Sequence, residues 1–204
     1  MSASIVRLER KDLSRAATAL GRAFHDDPLQ SYVLPDPAVR AERSPAHFAP
    51  ILEYGLRFGT VLTTAGEPRG AAVWLPPGET AVTDQRAAEA GLDTLPDVLG
   101  AAEADRFFSV LATIDPYHRT DVPSEHWYVL VIGVEPGAQG RGLGRALLTP
   151  VLEEARRDKL PCYLETAQPQ NVEFYRHLGF RVLRDIVDPR SGLRLWTFRR
   201  DPEA

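Results

Sequence analysis

The stretch from Val131 to Leu148, VIGVEPGAQGRGLGRALL, decides how this chain reads. An apolar run breaks at Pro136, passes Gly137, Gly140, Gly142 and Gly144, and resumes as an apolar, helix-forming segment. A strand, a glycine-rich loop and a helix start make an anion site. Unpaired N–H groups of the first helical turn converge there, and the helix dipole adds about half a positive charge. Glycine lets an anion approach the main chain and permits backbone angles closed to other residues. Gln139 to Gly144 would form the cradle, with Arg141 and Arg145 at its rim. The implied ligand is a phosphate or pyrophosphate; a turn that simply needs glycine is the alternative on local composition. A P-loop would need a lysine after its last glycine, and Leu143 and Gly144 follow Gly142 instead. A dinucleotide fingerprint would need a third glycine where Arg145 stands.

Working outward, HWYVLVIGV (126–134) is a nearly unbroken apolar run, as expected for a strand covered on both faces. After the glycines the pattern predicts a helix to about Arg157, a strand at CYLETA (162–167) and a short helix near 171–178. Two strands, FRVLRDIV and LRLWTFRR, follow. Pro150 falls inside the predicted helix and should kink it near Ala146–Thr149. Upstream, IVRLE (5–9) reads as a strand, and Asp12 as the cap of a helix bearing Leu13, Ala16, Ala17, Leu20 and Phe24. HDDPLQSYVLPDP, with three prolines, reads as irregular. Residues 39–58 read as helix, TVLTTA (60–65) and GAAVWLPP (70–77) as a strand pair, and 84–114 as one or two helices. The expected fold is a single-domain mixed α/β sheet flanked by helices. Only the two strands around the 142–157 helix need be parallel, because a crossover joins them.

Composition narrows the function classes. The chain has 204 residues, 44% hydrophobic and 25% charged, suited to one core that buries about 70% of the unfolded surface. A net charge of -4 argues against a nucleic-acid partner. One cysteine, Cys162, excludes an internal disulfide and a cysteine-only metal cage. No run is long enough for a membrane helix and MSASIVRLERKDL lacks a signal peptide's apolar stretch, so a cytoplasmic protein is expected. His25 and His47 show no metal-ligand spacing, and no metal is expected.

Val134-Glu135-Pro136-Gly137-Ala138-Gln139-Gly140-Arg141-Gly142-Leu143-Gly144 resembles the coenzyme A signature of the GCN5-related N-acetyltransferases (GNAT). LETAQPQNVEFYRHLGF (164–180) is similar to that family's strand–Asn–Phe-Tyr–Gly-Phe segment. With HWYVL and the C-terminal tail, the two segments are most similar to the family's puromycin N-acetyltransferase-like members. The resemblance is strong over about 126–200, looser in AVWLPP and FHDDP, and weak between 78 and 120. It implies one domain over 1–204, with an acceptor-side part up to about 120 and an acetyl-CoA-binding part at about 126–200. It also implies that the parallel strands at 126–134 and 162–167 splay apart. The pantetheine arm would lie in that gap against the main chain of Ile132, Gly133 and Val134, with the pyrophosphate on Gln139, Gly140, Arg141, Gly142, Leu143 and Gly144.

Acetyl transfer to an amine needs a neutral nucleophile and a proton for the departing thiolate. Tyr175, protonated at neutral pH, could donate that proton, and by resemblance it occupies the family's acid position. Asn171 and Tyr175 are i and i+4, on one helix face where both could meet the cofactor, while Phe174 and Leu178 pack inward. Glu165, a carboxylate in a sheet, is either catalytic or held by a partner. His126 is a second candidate base acting through water. Asp26 and Asp27 could bind a cationic amine, and Phe24, Tyr32, Trp74 and Tyr128 could line the acceptor site or serve as core. Cys162 has no base or positive charge beside it in sequence, so direct attack in a ternary complex is preferred over an acetyl-cysteine. The expected activity is acetyl-CoA-dependent N-acetylation of a small primary amine, such as an antibiotic or other xenobiotic. The rival readings are a non-catalytic acyl-CoA sensor and a protein or peptide N-acetyltransferase. The active form would be a monomer or homodimer.

Overall fold

Seven strands form one mixed sheet in the computed structural model, which describes residues 4–202. Residues 1–3 and 203–204, the two ends of the expected 1–204 domain, lie outside the described residues. The strands are β1 (Ile5–Arg7), β2 (Thr60–Thr64), β3 (Gly70–Leu75), β4 (Trp127–Val134), β5 (Cys162–Thr166), β6 (Arg181–Val187) and β7 (Arg194–Arg200). Their order is β1-β2-β3-β4-β5-β7-β6. Among the described residues only β4 and β5 run parallel, as the crossover argument requires.

The helices are α1 (Leu13–Ala23), α2 (Pro28–Val33), α3 (Pro37–Phe58), α4 (Asp84–Ala90), α5 (Leu95–Leu99), α6 (Ala101–Asp121), α7 (Leu143–Asp158) and α8 (Gln170–Arg176). Among the described residues no helix is long and apolar enough to cross a membrane. Helix α7 covers one face of the sheet. Leu147, Leu148, Val151, Leu152 and Ala155 make its apolar stripe and pack on Trp74, Trp127, Val129, Cys162 and Leu164. On the other face Ala16, Ala17 and Leu20 of α1, with Phe48 and Leu52 of α3, pack on Val61, Ala71 and Val73. Each buried Leu, Val or Phe among them contributes about 1.5–3 kcal/mol relative to exposure.

Strand β4 carries one residue more than its neighbour. Val73 pairs with Val131 and Trp74 with Val129, so Leu130 is a bulge. Leu130 and Val131 therefore both face α1 and α3, while Ile132 and Val134 face α7 with Trp127 and Val129. Gly133 then points at α1, where a Cβ would lie 2.7 Å from the Phe24 ring and 2.9 Å from the Ala23 methyl.

Three readings of the sequence need correction. The proline-rich stretch after Phe24 is helical over Pro28–Val33, because two of its three prolines, Pro28 and Pro37, start helices. The Asp27 carboxylate accepts from the N–H groups of Leu29 (2.9 Å) and Gln30 (3.3 Å), with Pro28 in the first turn. Asp36 and Pro37 open α3 in the same way. Asp12, by contrast, makes no cap hydrogen bond; a 3₁₀ turn leads into α1, and the Asp12 carboxylate pairs with Arg15. Finally, α6 runs beyond 114 to Asp121 with Pro116 inside it. Helix α7 likewise continues as one element through Pro150, whose ring nitrogen cannot donate to the Ala146 carbonyl.

Candidate active site

The site begins where the sheet opens. Strands β4 and β5 are in register only at Trp127–Cys162 and Tyr128–Tyr163. Beyond these pairs they diverge, although β4 stays bonded to β3 as far as Val134 opposite Gly70. The β5-facing edge of β4 from Val129 to Val134 thus offers main-chain groups without a strand partner. The stretch from Ile132 to Val134 lies on this edge. Gln139 braces its end, its Nε2 donating to the Val134 carbonyl at 2.9 Å.

The glycine loop sits at the mouth of the gap. Gly140 (φ 73°) and Gly142 (φ 76°) occupy the left-handed region that side chains rarely adopt, and open space surrounds both Cα atoms. Gly142 caps α7, and the first helical bond runs from Ala146 N–H to its carbonyl. The N–H groups of Leu143, Gly144 and Arg145 therefore have no acceptor within the helix. A cradle of free donors on glycine backbone fits a diphosphate. Gly144 serves a different purpose: a Cβ there would stand 3.2 Å from Phe174 of α8. Arg141 is exposed on the loop. Arg145, expected at the rim, is drawn aside to donate to the His177 carbonyl at 3.4 Å.

At the apex of the gap a polar cluster faces α6. Glu165 follows Tyr163 on the same side of β5, and its side chain is only 11% exposed. Burial pushes its carboxyl up to about 8, against the pull of the Tyr128 and Tyr163 hydroxyls, while Asp115 and Asp121 of α6 add to the rise. His118 of α6 stacks on Tyr163 at 4.4 Å and tilts against Tyr128 at 4.3 Å. Its Nδ1 lies 3.9 Å from a Glu165 oxygen, and its Nε2 lies 2.8 Å from Nε2 of His126. Burial, reinforced by His126 and Arg119, lowers His118 to about 3. Asp121 anchors the back of the cluster, accepting from Arg184 (2.7 Å) and Thr197 (2.8 Å).

Tyr175 enters from the opposite face. It lies on α8, 4% exposed, with its ring among Phe174, Phe180 and Phe198. Burial raises its hydroxyl well above the ordinary value, and the Asp27 carboxylate adds to the rise. Asp27 caps α2, and its charge reaches the buried Tyr175 hydroxyl. Burial pushes Asp27 up to about 6, opposed by the two N–H groups that it caps. Asn171 donates from Nδ2 to Thr166 Oγ1 at 3.4 Å.

The remaining sequence candidates divide. Phe24 covers Gly133 and lies 4.9 Å from the Phe48 ring. Tyr32 sits half-buried on α2 beside Val110, Ile114 and Leu195. Asp26 is exposed, away from the buried end of its neighbour. Trp74 is a core residue, fully buried with its ring edge-to-face against Trp127 at 6.4 Å, and it cannot line an acceptor site. Cys162 is buried, and burial pushes its thiol up to about 12, which leaves it no thiolate for nucleophilic attack. Sequence reasoning missed His118 and Tyr163. The signal for His118 is the i, i+3, i+6 spacing of Asp115, His118 and Asp121, which lies beyond the end at 114 read from the sequence but within α6.

Comparison with known proteins agrees with this geometry. A family model for the acetyltransferase (GNAT) family matches residues 73–180, from β3 through the loop to the end of α8. An N-acetyltransferase of Schizosaccharomyces pombe is 29% identical over 208 residues, covering 97% of this chain and 83% of its own. The mycothiol acetyltransferase of Thermomonospora curvata is 33% identical over 158 residues, 71% of this chain and 52% of that one. Among solved structures, histone acetyltransferase HPA2 and related acetyltransferase from Corynebacterium glutamicum superposes with a TM-score of 0.67 at 23% identity, over 99% of this chain and 97% of that one. That last likeness is one of fold. The matched segment contains the glycine loop, the diverging strands and the α8 tyrosine, and with them this chain belongs to the GNAT acetyltransferase family.

Proposed function

We propose that this acetyltransferase moves the acetyl group of acetyl-CoA directly to the primary amine of a small cationic molecule. The observation that carries the reading is the divergence of β4 and β5 beyond Tyr128–Tyr163, with a cradle of unpaired N–H groups at its mouth and ionisable groups at its apex. Gln139 to Gly144 would hold the diphosphate, and the free edge at Ile132–Val134 would hold the pantetheine amides. When bound, acetyl-CoA supplies an activated thioester.

Glu165 takes the proton from the attacking amine, at the end of the gap where burial keeps its basicity high. Tyr175, held protonated by burial, gives its proton to the departing sulfur. Asp27 attracts the ammonium form of the acceptor from the α2 side, while Phe24 and Tyr32 flank it. Direct transfer is favoured because Cys162 is inert. Helices α2 and α6 pack on each other beside Glu165 and Asp27, and long helical segments beside the cleft favour a compact amine over a peptide. An aminonucleoside such as puromycin is the first acceptor to try, on the resemblance carried by the glycine loop and 164–180 together with HWYVL and the C-terminal tail.

The test is release of free thiol from acetyl-CoA on adding puromycin, agmatine-like guanidino amines, polyamines, arylalkylamines and an N-terminal peptide. Thiol release with a small amine and not with the peptide is expected. Tyr175→Phe should lower kcat about 10²-fold while leaving acetyl-CoA binding intact. Acetyl-CoA binding without turnover on any amine would support a sensor instead.

A further inference from the structure

The acetylation of an ammonium ion releases one proton per turnover. The nitrogen enters as –NH₃⁺, the C–N bond forms and the C–S bond breaks. One proton ends on the thiol, one stays on the amide nitrogen, and the third must reach solvent. Glu165 receives it in a position only 11% exposed, so a buried base needs an outlet. We propose that His118 and His126 form that outlet, a two-imidazole relay from Glu165 to the exposed loop before β4. The proposal rests on the reading of Glu165 as the base.

The hydrogen bonds fix the direction of the relay. His126 Nδ1 lies 2.7 Å from the Ser124 carbonyl, which can only accept, so Nδ1 carries the hydrogen. Its neutral ring then leaves Nε2 as an acceptor, and His118 Nε2, 2.8 Å away, must donate. His118 Nδ1 is left with a lone pair, and it is the atom that faces Glu165 at 3.9 Å. Both tautomers are therefore set to move a proton outward. His118 accepts at Nδ1 and releases from Nε2; His126 accepts at Nε2 and gives its Nδ1 proton to solvent water at the exposed Ser124 loop, and a half-turn of both rings then restores the starting tautomers. Ser124 and its neighbours Pro123 and Glu125 are exposed, whereas His126 is 5% exposed, so the chain crosses from interior to surface at this point.

The surroundings suit passage and not storage. Stacking on Tyr163 and contact with Tyr128 set the plane of the His118 ring, which a half-turn about Cβ–Cγ preserves. The charged groups around the pair are Asp115, Arg119 and Asp121 of α6, Glu165 of β5, Arg184 of β6 and Arg199 of β7, with the hydroxyls of Tyr128 and Tyr163. Asp121 is engaged by Arg184 and Thr197. Burial lowers both imidazoles, most strongly His118, so a proton does not rest on either ring.

Two measurements test the relay. Long-range ¹H–¹⁵N spectra of the intact protein should show His118 as the Nε2–H tautomer and His126 as Nδ1–H. A His118 ring protonated at Nδ1 would break the chain and end the proposal without reference to activity. In turnover with any amine that the wild type acetylates, His118→Asn should lower kcat about 10–100-fold and leave the acetyl-CoA KM unchanged. Added imidazole should restore part of the loss in a saturable way. A packing role alone would not be rescued, so unchanged turnover, or a loss that imidazole never relieves, overturns the relay. If His118→Asn does not fold, His126→Gln, at the outer end, is read by the same rescue. Absence of wild-type turnover would instead count against the proposed function, and the tautomer spectra would still judge the relay.

Discussion

Tyr128 of β4 and Tyr163 of β5 face each other in parallel register, and the two strands part immediately beyond them. Their hydroxyls approach Glu165, so the group that ends the sheet's pairing also surrounds the candidate base. A carboxyl raised to about 8 is protonated below that pH and can accept a proton only above it. The expected profile of kcat/KM for the amine rises with unit slope to about pH 8 and levels off, apart from ionisation of the amine itself. Glu165→Gln should lower kcat by roughly 10²–10⁴-fold and remove this limb.

The same ionisation links to stability. Between pH 4.5 and about 8 the native protein keeps a proton on Glu165 that the unfolded chain has released. Stability therefore falls as pH rises through this window, by up to about 1.4 kcal/mol per pH unit. Thermal melts should show Glu165→Gln gaining on the wild type from pH 5 to pH 8. Equal differences at both pH values would mean that Glu165 is not buried as described.

Asp27 separates two roles through two substitutions. Asparagine caps a helix about as well as aspartate, so Asp27→Asn should keep the melting temperature and raise the KM for a cationic amine about 10-fold above pH 6. Near pH 5 the wild-type carboxyl is itself protonated, given its value of about 6, and the difference should shrink. Asp27→Ala should raise the KM similarly and also cost about 1 kcal/mol of stability from the lost cap.

For the glycine loop, backbone angle and not space is the constraint. Gly140→Ala or Gly142→Ala forces a side chain into the left-handed region at about 1–2 kcal/mol, although nothing lies within 4 Å of either new methyl. Each should raise the acetyl-CoA KM severalfold. Gly137→Ala is the control. Its φ is not positive, and its new methyl would only touch Arg69 Nη2 at 3.6 Å. Titration calorimetry with coenzyme A checks all three.

Much of this was legible in the sequence because local patterns dictated it. The apolar run of β4, the glycines and the stripe of α7 are short-range signals, and the crossover rule then fixed the one parallel pair. Other features depend on distant partners. Trp74 reads alike as a cleft aromatic or as core, and only its burial against Trp127 separates the two. Proline misled in one stretch, where Pro28 and Pro37 start helices with Asp caps, and α6 carries His118 past the helix end read from the sequence. The pairing of His118 with His126 spans a turn and a strand start, and no periodicity encodes it. Arg145 stands beside the loop as its position suggests, but the contact of its guanidinium with the His177 carbonyl just past α8 is not encoded locally.

Leu130 shows how one residue can govern a whole edge. Because it stands as a supernumerary position opposite β3, every side chain from Val131 onward swaps sides relative to strict alternation along β4. Excising it would leave Val131 opposite Val73 and keep Ile132 and Val134 toward α7, but it would straighten the bend that the extra residue puts into β4 just where β5 departs. A lineage that lost this codon would therefore turn no later side chain over; what it would give up is a local bend in β4, and the parting of β4 from β5 is the property that such a deletion would test.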